Sequence, residues 1–322
     1  MRIYMKRWNI LLLALLIGLP VFAQQENTSL ATQNTIKSFF LLRLNLTSDP
    51  VDLQNFLAER SFKQEFEHFS ARYGSRIKRL NEGSKPISWA ISSALNGDLD
   101  ASLKNIDQAV SAQTVSKDKE LLSNLFLLKS HLLSLKKDYK GALKAINYSM
   151  AAAQQINWSL QIARLHLQRG RLLSLDGQFE QAETELIRIA LPAFTKMKYE
   201  EVVANCYREI ADMYSRNELF SPANWFYLQA LSTSRKINYA AGAIGSLNEL
   251  AQLKFEVDEF APAAKDWLEA EKIAIFSKNL PELLRLKYNL YQLYLKWGKT
   301  AAAEKYALEF EQLKDILLNP VL

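Results

Sequence analysis

The side chains best suited to metal or nucleophilic chemistry are few: three histidines, His68, His131 and His166, and one cysteine, Cys206. His131 and His166 stand 35 residues apart, and no carboxylate is spaced along the sequence to orient either ring, so structural or solvent-exposed histidines are expected rather than ligands. A single cysteine excludes an intramolecular disulfide whatever the redox compartment. Cys206 sits in a half-apolar helical stretch, which points to an inert buried thiol. The chain has no HExxH, no CxxC, no glycine-rich phosphate loop and no GxSxG elbow. Adjacent carboxylates such as Glu200-Glu201 read as solvated helix surface. No catalytic, cofactor or metal site is expected, and the chain is not expected to be an enzyme.

Charge is the next candidate source of function. The 322 residues carry 40 Lys and Arg against 34 Asp and Glu, a net +6. Three of the basic residues, Arg2, Lys6 and Arg7, precede an apolar run from Ile10 to Ile17, then Gly18, Pro20 and Val21-Phe22-Ala23. A basic start, a short apolar core and a small residue before a cut describe a secretory signal peptide over residues 1–23, with an uncleaved anchor as the alternative. The apolar run is shorter than the roughly 20 residues a membrane span needs. With that segment gone the net charge falls to +3, because no acidic residue leaves with it. The argument for nucleic-acid binding falls with it. The mature chain is expected to begin at Gln24, to be soluble, and to be periplasmic or secreted. No cysteine lies beside the expected cut, which excludes lipid attachment there. The basic run Arg72, Arg76, Lys78, Arg79 puts three arginines on one helical face, suited to an acidic lipid or partner but read here as a solvated face.

The elements that must position any site are helical. Ten Gly and eight Pro are too few for a turn-rich β architecture, and 49% hydrophobic residues suit a packed chain. The sequence also repeats against itself. A short turn followed by a small residue recurs at Ser102, Ala142, Ala182, Ala223, Ala263 and Ala303, with steps of 40, 40, 41, 40 and 40. A second marker, Asn157-Trp158, Lys198-Tyr199, Asn238-Tyr239 and Asn279-Leu280, advances by 41, 40 and 41 at its second residues. Between the markers lie helical stretches of roughly 17–19 residues, so each copy reads as two helices joined by short turns.

In the fourth copy Tyr207, Ile210, Ala211 and Tyr214 form a stripe at i, i+3, i+4 and i+7, followed by Ala223, Tyr227 and Ala230 on the second helix. The fifth repeats it with Leu247, Leu250, Ala251, Ala263, Trp267 and Ala270. This run of large, large-small and aromatic, then Ala and aromatic, resembles the tetratricopeptide repeat family in a long-period variety. The resemblance covers about residues 83–316. The third copy departs from it with His166 and Arg169 at usually apolar positions, the second with Lys129, the first with Ser93 and Ser102. The implied fold is all-α: a right-handed α-solenoid of six helix-turn-helix repeats over 83–322. Residues 24–82 fall outside the period and read as an N-terminal helical cap or annex, with helical segments opening at Ser48-Asp49-Pro50 and running from Ser61 to Leu80.

In this family the first helices line a concave groove, so the resemblance implies a binding face built from His131, Arg164, Arg171, Arg208, Asp212, Arg216, Asn248, Gln252, Tyr288 and Gln292. Such polar side chains around an arginine group suit an extended peptide or a carboxylate. The expected function is a non-catalytic protein-interaction module of the cell envelope, a scaffold or sensor subunit. A peptide- or ligand-capturing receptor and the accessory subunit of an envelope enzyme are the alternatives. Finally, Tyr306, Ala307, Phe310, Leu313 and Leu317 on the last helix, with an apolar tail over 318–322, have no later repeat to cover them. That predicts either a tail folded back as a cap or a homodimer formed through the C-terminal helix.

Overall fold

The computed structural model describes residues 50–80, 84–112, 115 and 117–318. The expected signal peptide, the segment 24–49 and the tail 319–322 lie outside them. The described residues form thirteen helices and no strand. In chain order they are α1 (Pro50–Ile77), α2 (Ser84–Leu95), α3 (Leu99–Ser111), α4 (Lys119–Leu135), α5 (Tyr139–Gln155), α6 (Ser159–Leu175) and α7, which runs through Phe179–Glu183, Thr184–Ala190 and Leu191–Met197. They continue as α8 (Glu200–Arg216), α9 (Phe220–Lys236), α10 (Ala240–Glu256), α11 (Phe260–Phe276), α12 (Leu280–Lys296) and α13 (Thr300–Leu318). Consecutive helices pack on one another from α1 to α10 and again from α11 to α13, as stacked helix-turn-helix pairs of an α-solenoid. They fall into two compact units, one over 50–259 and one whose described part is 260–318; the division passes between α10 and α11, inside the fifth copy.

Ten of the thirteen helices, α2 and α4 to α12, end by one device. Gly97, Lys137, Asn157, Gly177, Lys198, Glu218, Asn238, Asp258, Lys278 and Gly298 all have positive φ. The amide after each reaches back to the carbonyl five residues upstream, as in Asp138 N to Leu133 O at 2.9 Å and Tyr239 N to Ser234 O at 2.8 Å. This left-handed exit satisfies carbonyls that the helix end would otherwise orphan. The next residue then starts the following helix; Asp98, Asp138 and Asn279 accept an amide hydrogen bond with their side chains there, and Asp118 does the same at the start of α4 without such an exit before it. The second sequence marker coincides with these exits at Asn157, Lys198 and Asn238, but in the sixth copy the exit is Lys278. Asn279 is instead the side-chain cap, so the copy starts one residue earlier than its Asn suggested.

The first marker is the packing contact. Ser102, Ala142, Ala182, Ala223 and Ala263 are fully buried and Ala303 nearly so. At Ser102, Ala142, Ala182, Ala223 and Ala303 the small side chain lets the second helix approach the first helix of its own copy, in the fourth copy beside the buried Tyr227. The single 41-residue step has a physical cause. Within α7 the stretch Thr184–Ala190 is π-helical, and its wider turn takes up one extra residue without shifting the register of the contacts on either side. It lies against Gly170, where a Cβ would come within 2.6 Å of the Leu186 side chain.

The N-terminal helix differs from its sequence reading. Instead of separate segments, residues 50–77 form one helix beginning at Pro50, with no break at Ser61, because no helix-breaking residue lies between the two expected pieces. Phe66, Phe69, Tyr73 and Ile77 are buried in one core cluster with Ile87, Ile106, Leu121 and Leu125. Of the basic run expected as a solvated face, Arg72 and Arg76 are ion-paired, while Arg79 is exposed and donates to the Ser75 carbonyl at 3.2 Å. Arg76 pairs with Asp118 at 2.7 Å and with Glu120 at 2.9 Å, Arg72 reaches Glu120 at 3.4 Å, and the Tyr73 hydroxyl donates to Glu120 at 2.9 Å. Burial followed by the hydrogen bond to Glu120 pushes the Tyr73 phenol well above its ordinary pKa.

The C-terminal helix also corrects its expectation. Tyr306, Ala307, Phe310 and Leu313 are buried, with the Phe310 ring 5.4 Å from Tyr288 and the Tyr306 ring stacked 5.5 Å from Tyr294. That stripe is consumed within the chain, so Phe310 is not available to a second copy. The outer side of α13 carries Glu304, Lys305, Gln312 and Asp315 beside Leu308 and Ile316. No helix among the described residues is long and apolar enough to cross a membrane.

Candidate functional site

Within the unit 50–259 the first helices of successive repeats pack directly against each other, α6 on α8 and α8 on α10, and the second helices make no comparable contact among the described residues. Over α6, α8 and α10 the first-helix layer is therefore the shorter, inner side. The sequence places polar residues on it because the 3.6-residue period reserves the opposite stripe for the partner helix.

At its centre is Arg208. Its guanidinium lies among the carboxylates of Glu209 and Asp212 on α8 and Glu249 on α10. Burial works against its charge, but those three carboxylates more than compensate and raise its pKa. The guanidinium occupies the space where a Cβ on Gly245 would stand, so the glycine of α10 makes room for it. The Tyr227 hydroxyl, from α9, donates to Asp212 Oδ1 at 2.6 Å. Burial, then the charges of Glu209 and Glu249, push the Asp212 carboxyl up to about 7, against the opposing pull of Tyr227 and Arg208. Arg171 on α6 extends the network to Glu209 at 3.8 Å, and Arg216 donates to Ser174 Oγ of α6 at 3.1 Å. One polar seam thus ties α6, α8, α9 and α10.

Of the sequence-predicted residues, Arg171, Arg208, Asp212 and Arg216 meet in this seam. Arg164 is exposed on α6. Gln252 is half-buried and donates to Glu256 at 3.1 Å. Asn248, expected on the open side, is buried and donates to Glu249 at 2.9 Å. Tyr288 and Gln292 belong to the other unit; Tyr288 is buried against Tyr291 and Phe310 rather than open to a groove. His131 is paired with Glu65 of α1, and His166 with Glu185 at 2.6 Å, where Arg169 also approaches at 3.5 Å. Carboxylates therefore do orient both rings, from helices distant in sequence, which local spacing could not reveal. Cys206 is fully buried, and burial pushes its thiol up to about 12. Among the described residues no group of His, Cys, Asp or Glu is arranged to hold a metal ion.

Sequence reasoning passed over Glu209 and Glu249. They stand 40 residues apart, one repeat, at equivalent positions on α8 and α10. That equal spacing was the available signal.

The sequence matches no family model and no curated protein. Solved structures do match in fold. A Rap protein complexed with competence and sporulation factor is 10% identical with a TM-score of 0.54, covering 98% of this chain and 97% of that one. The apo quorum sensor NprR from B. thuringiensis is 14% identical with a TM-score of 0.51, covering 82% and 74%. A signal-transduction ATPase with a tetratricopeptide repeat sensor from Pyrococcus horikoshii is 14% identical with a TM-score of 0.56, covering 86% of this chain and 46% of that one. At such identities the likeness is one of fold, and that fold is the tetratricopeptide-like helical repeat.

Proposed function

We propose that this chain is a non-catalytic binding module that holds a protein or peptide partner along the first-helix face of the unit 50–259. The observation that carries this reading is the seam itself: two successive first helices, α6 and α8, bring Arg171, Arg208, Asp212 and Arg216 together, held by ion pairs and hydrogen bonds, with Arg164 exposed two turns along α6. Preorganised, half-buried charge suits an extended polar chain, because little side-chain entropy is lost when it binds. The Rap and NprR structures support the reading by fold alone; the first is a complex with competence and sporulation factor, and the second is a quorum sensor. The basic and apolar leader supports a site of action in the cell envelope, as a scaffold or sensor subunit of secreted form, after cleavage near Ala23.

The test is capture from envelope extract by immobilised chain beginning at Gln24, beside an Arg164→Glu/Arg171→Glu variant. The reading expects a discrete partner that the variant loses while its thermal melt is unchanged. Identical capture by both would overturn it. An intact mass that still includes Met1 to Ala23 after expression in a bacterial envelope would overturn the export part separately.

A further inference from the structure

In the C-terminal unit, α11 and the end of α12 enclose an open cleft of about 500 Å³. Its floor is apolar: Ala264 and Leu268 from α11, Tyr294 and Trp297 from α12. The aromatic wall is a stack, with Phe260 and Tyr294 rings 6.0 and 6.1 Å from Trp297, and Tyr306 5.5 Å beyond Tyr294. The rim is cationic, formed by Lys265, Lys272 and Lys299 against one carboxylate, Glu269. Elsewhere in this unit Lys287 pairs with Glu271 and Glu309, and Lys305 and Lys314 pair with Glu309 and Glu311. Lys265 and Lys272 make no ion pair among the described residues, and Lys299 is held 3.5 Å above the Trp297 ring rather than by a carboxylate. An aromatic wall under unneutralised cations suits an anion with a flat apolar body.

Spacing narrows the class. Lys265 and Lys272 are two helical turns apart on one face of α11, about 10.5 Å along the axis. A polyproline-II strand presents the same edge every third residue, about 9.3 Å apart. Proline rings pack on aromatic walls, and that backbone carries little entropy to lose. We propose that this cleft docks an acidic, proline-rich segment of a partner protein, its prolines on Tyr294 and Trp297 and carboxylates three residues apart on Lys265 and Lys272. The cleft is separate from the first-helix face and independent of the function proposed for it.

The test is fluorescence anisotropy of a labelled peptide with four Glu-Pro-Pro repeats, titrated with the purified chain at low salt. Saturable binding is expected, weakened at least about tenfold by Lys265→Glu/Lys272→Glu with an unchanged melt. A peptide of four Glu-Gly-Ser repeats, equal in charge but flexible, should bind about fivefold or more weakly. The Arg164→Glu/Arg171→Glu variant should bind the first peptide as the wild type does. No saturable binding, indifference to the lysine reversals, equal affinity for the flexible peptide, or loss of binding in the arginine variant would each overturn the proposal.

Discussion

The carboxyl of Asp212 keeps its proton to about pH 7 in the folded chain, whereas an unfolded aspartate loses it near pH 3.9, roughly. Between those values folding takes up a proton. The stability present in acid is therefore drawn down as pH rises toward 7, and levels off above it. Replacing Asp212 with Asn keeps an acceptor for the Tyr227 hydroxyl and removes the charge. Thermal melts between about pH 5 and pH 8 should fall with pH in the wild type and fall less in Asp212→Asn. The variant should melt higher at the alkaline end, by about 2–4 °C per kcal/mol recovered in a chain of this size. Equal slopes would show that Asp212 is ionised throughout.

At the scale of the element, the helix exits are under-optimised. Three of the ten left-handed positions are glycine, and the others include Lys137, Lys198, Glu218 and Lys278. A side chain in that conformation costs about 1–2 kcal/mol, and glycine costs back about 0.4–1 kcal/mol in the unfolded chain. Lys198→Gly and Glu218→Gly should each stabilise by roughly 0.5–1 kcal/mol in denaturant titration, and Gly177→Ala should destabilise by a similar amount. A loss on Lys198→Gly would contradict the left-handed exit there. The π-helical stretch carries its own prediction. Gly170→Ala puts a methyl into Leu186 and Glu185 and should cost about 1–3 kcal/mol. The same methyl at Gly74, where nothing lies within 4 Å, should be neutral or mildly stabilising. Similar costs at both would mean that α6 and α7 do not approach as closely as described.

Over the whole molecule, helices contact mainly their sequence neighbours, so stability is a sum of local terms and a lesion at one end need not unfold the rest. Phe310→Glu buries a charge under Tyr288 and should cost more than about 3 kcal/mol, seen as an early transition while the remainder of the chain melts as before. Leu308→Glu, on the outer side of the same helix, should stay within about 0.5 kcal/mol. If the two variants melted alike, the inner and outer sides of α13 would be wrongly assigned.

The sequence by itself determined the repeat, the helix pairs and the buried stripe. Those features are local and periodic: a small residue at each close contact recurs every 40 or 41 positions and can be counted without coordinates. The charged residues of the first-helix face were legible as positions on a helix, but their partners were not. Glu65 finds His131, Glu185 finds His166, Glu120 finds Arg76, and Glu249 faces Arg208, across 19 to 66 residues and between helices. Side chains on separate helices meet only once packing has set the distances between those helices, so the tertiary structure alone decided which arginines are bound and which stay open. It also decided that Phe310 and Tyr288 bury one another, because one apolar stripe reads the same whether its cover comes from its own chain or another.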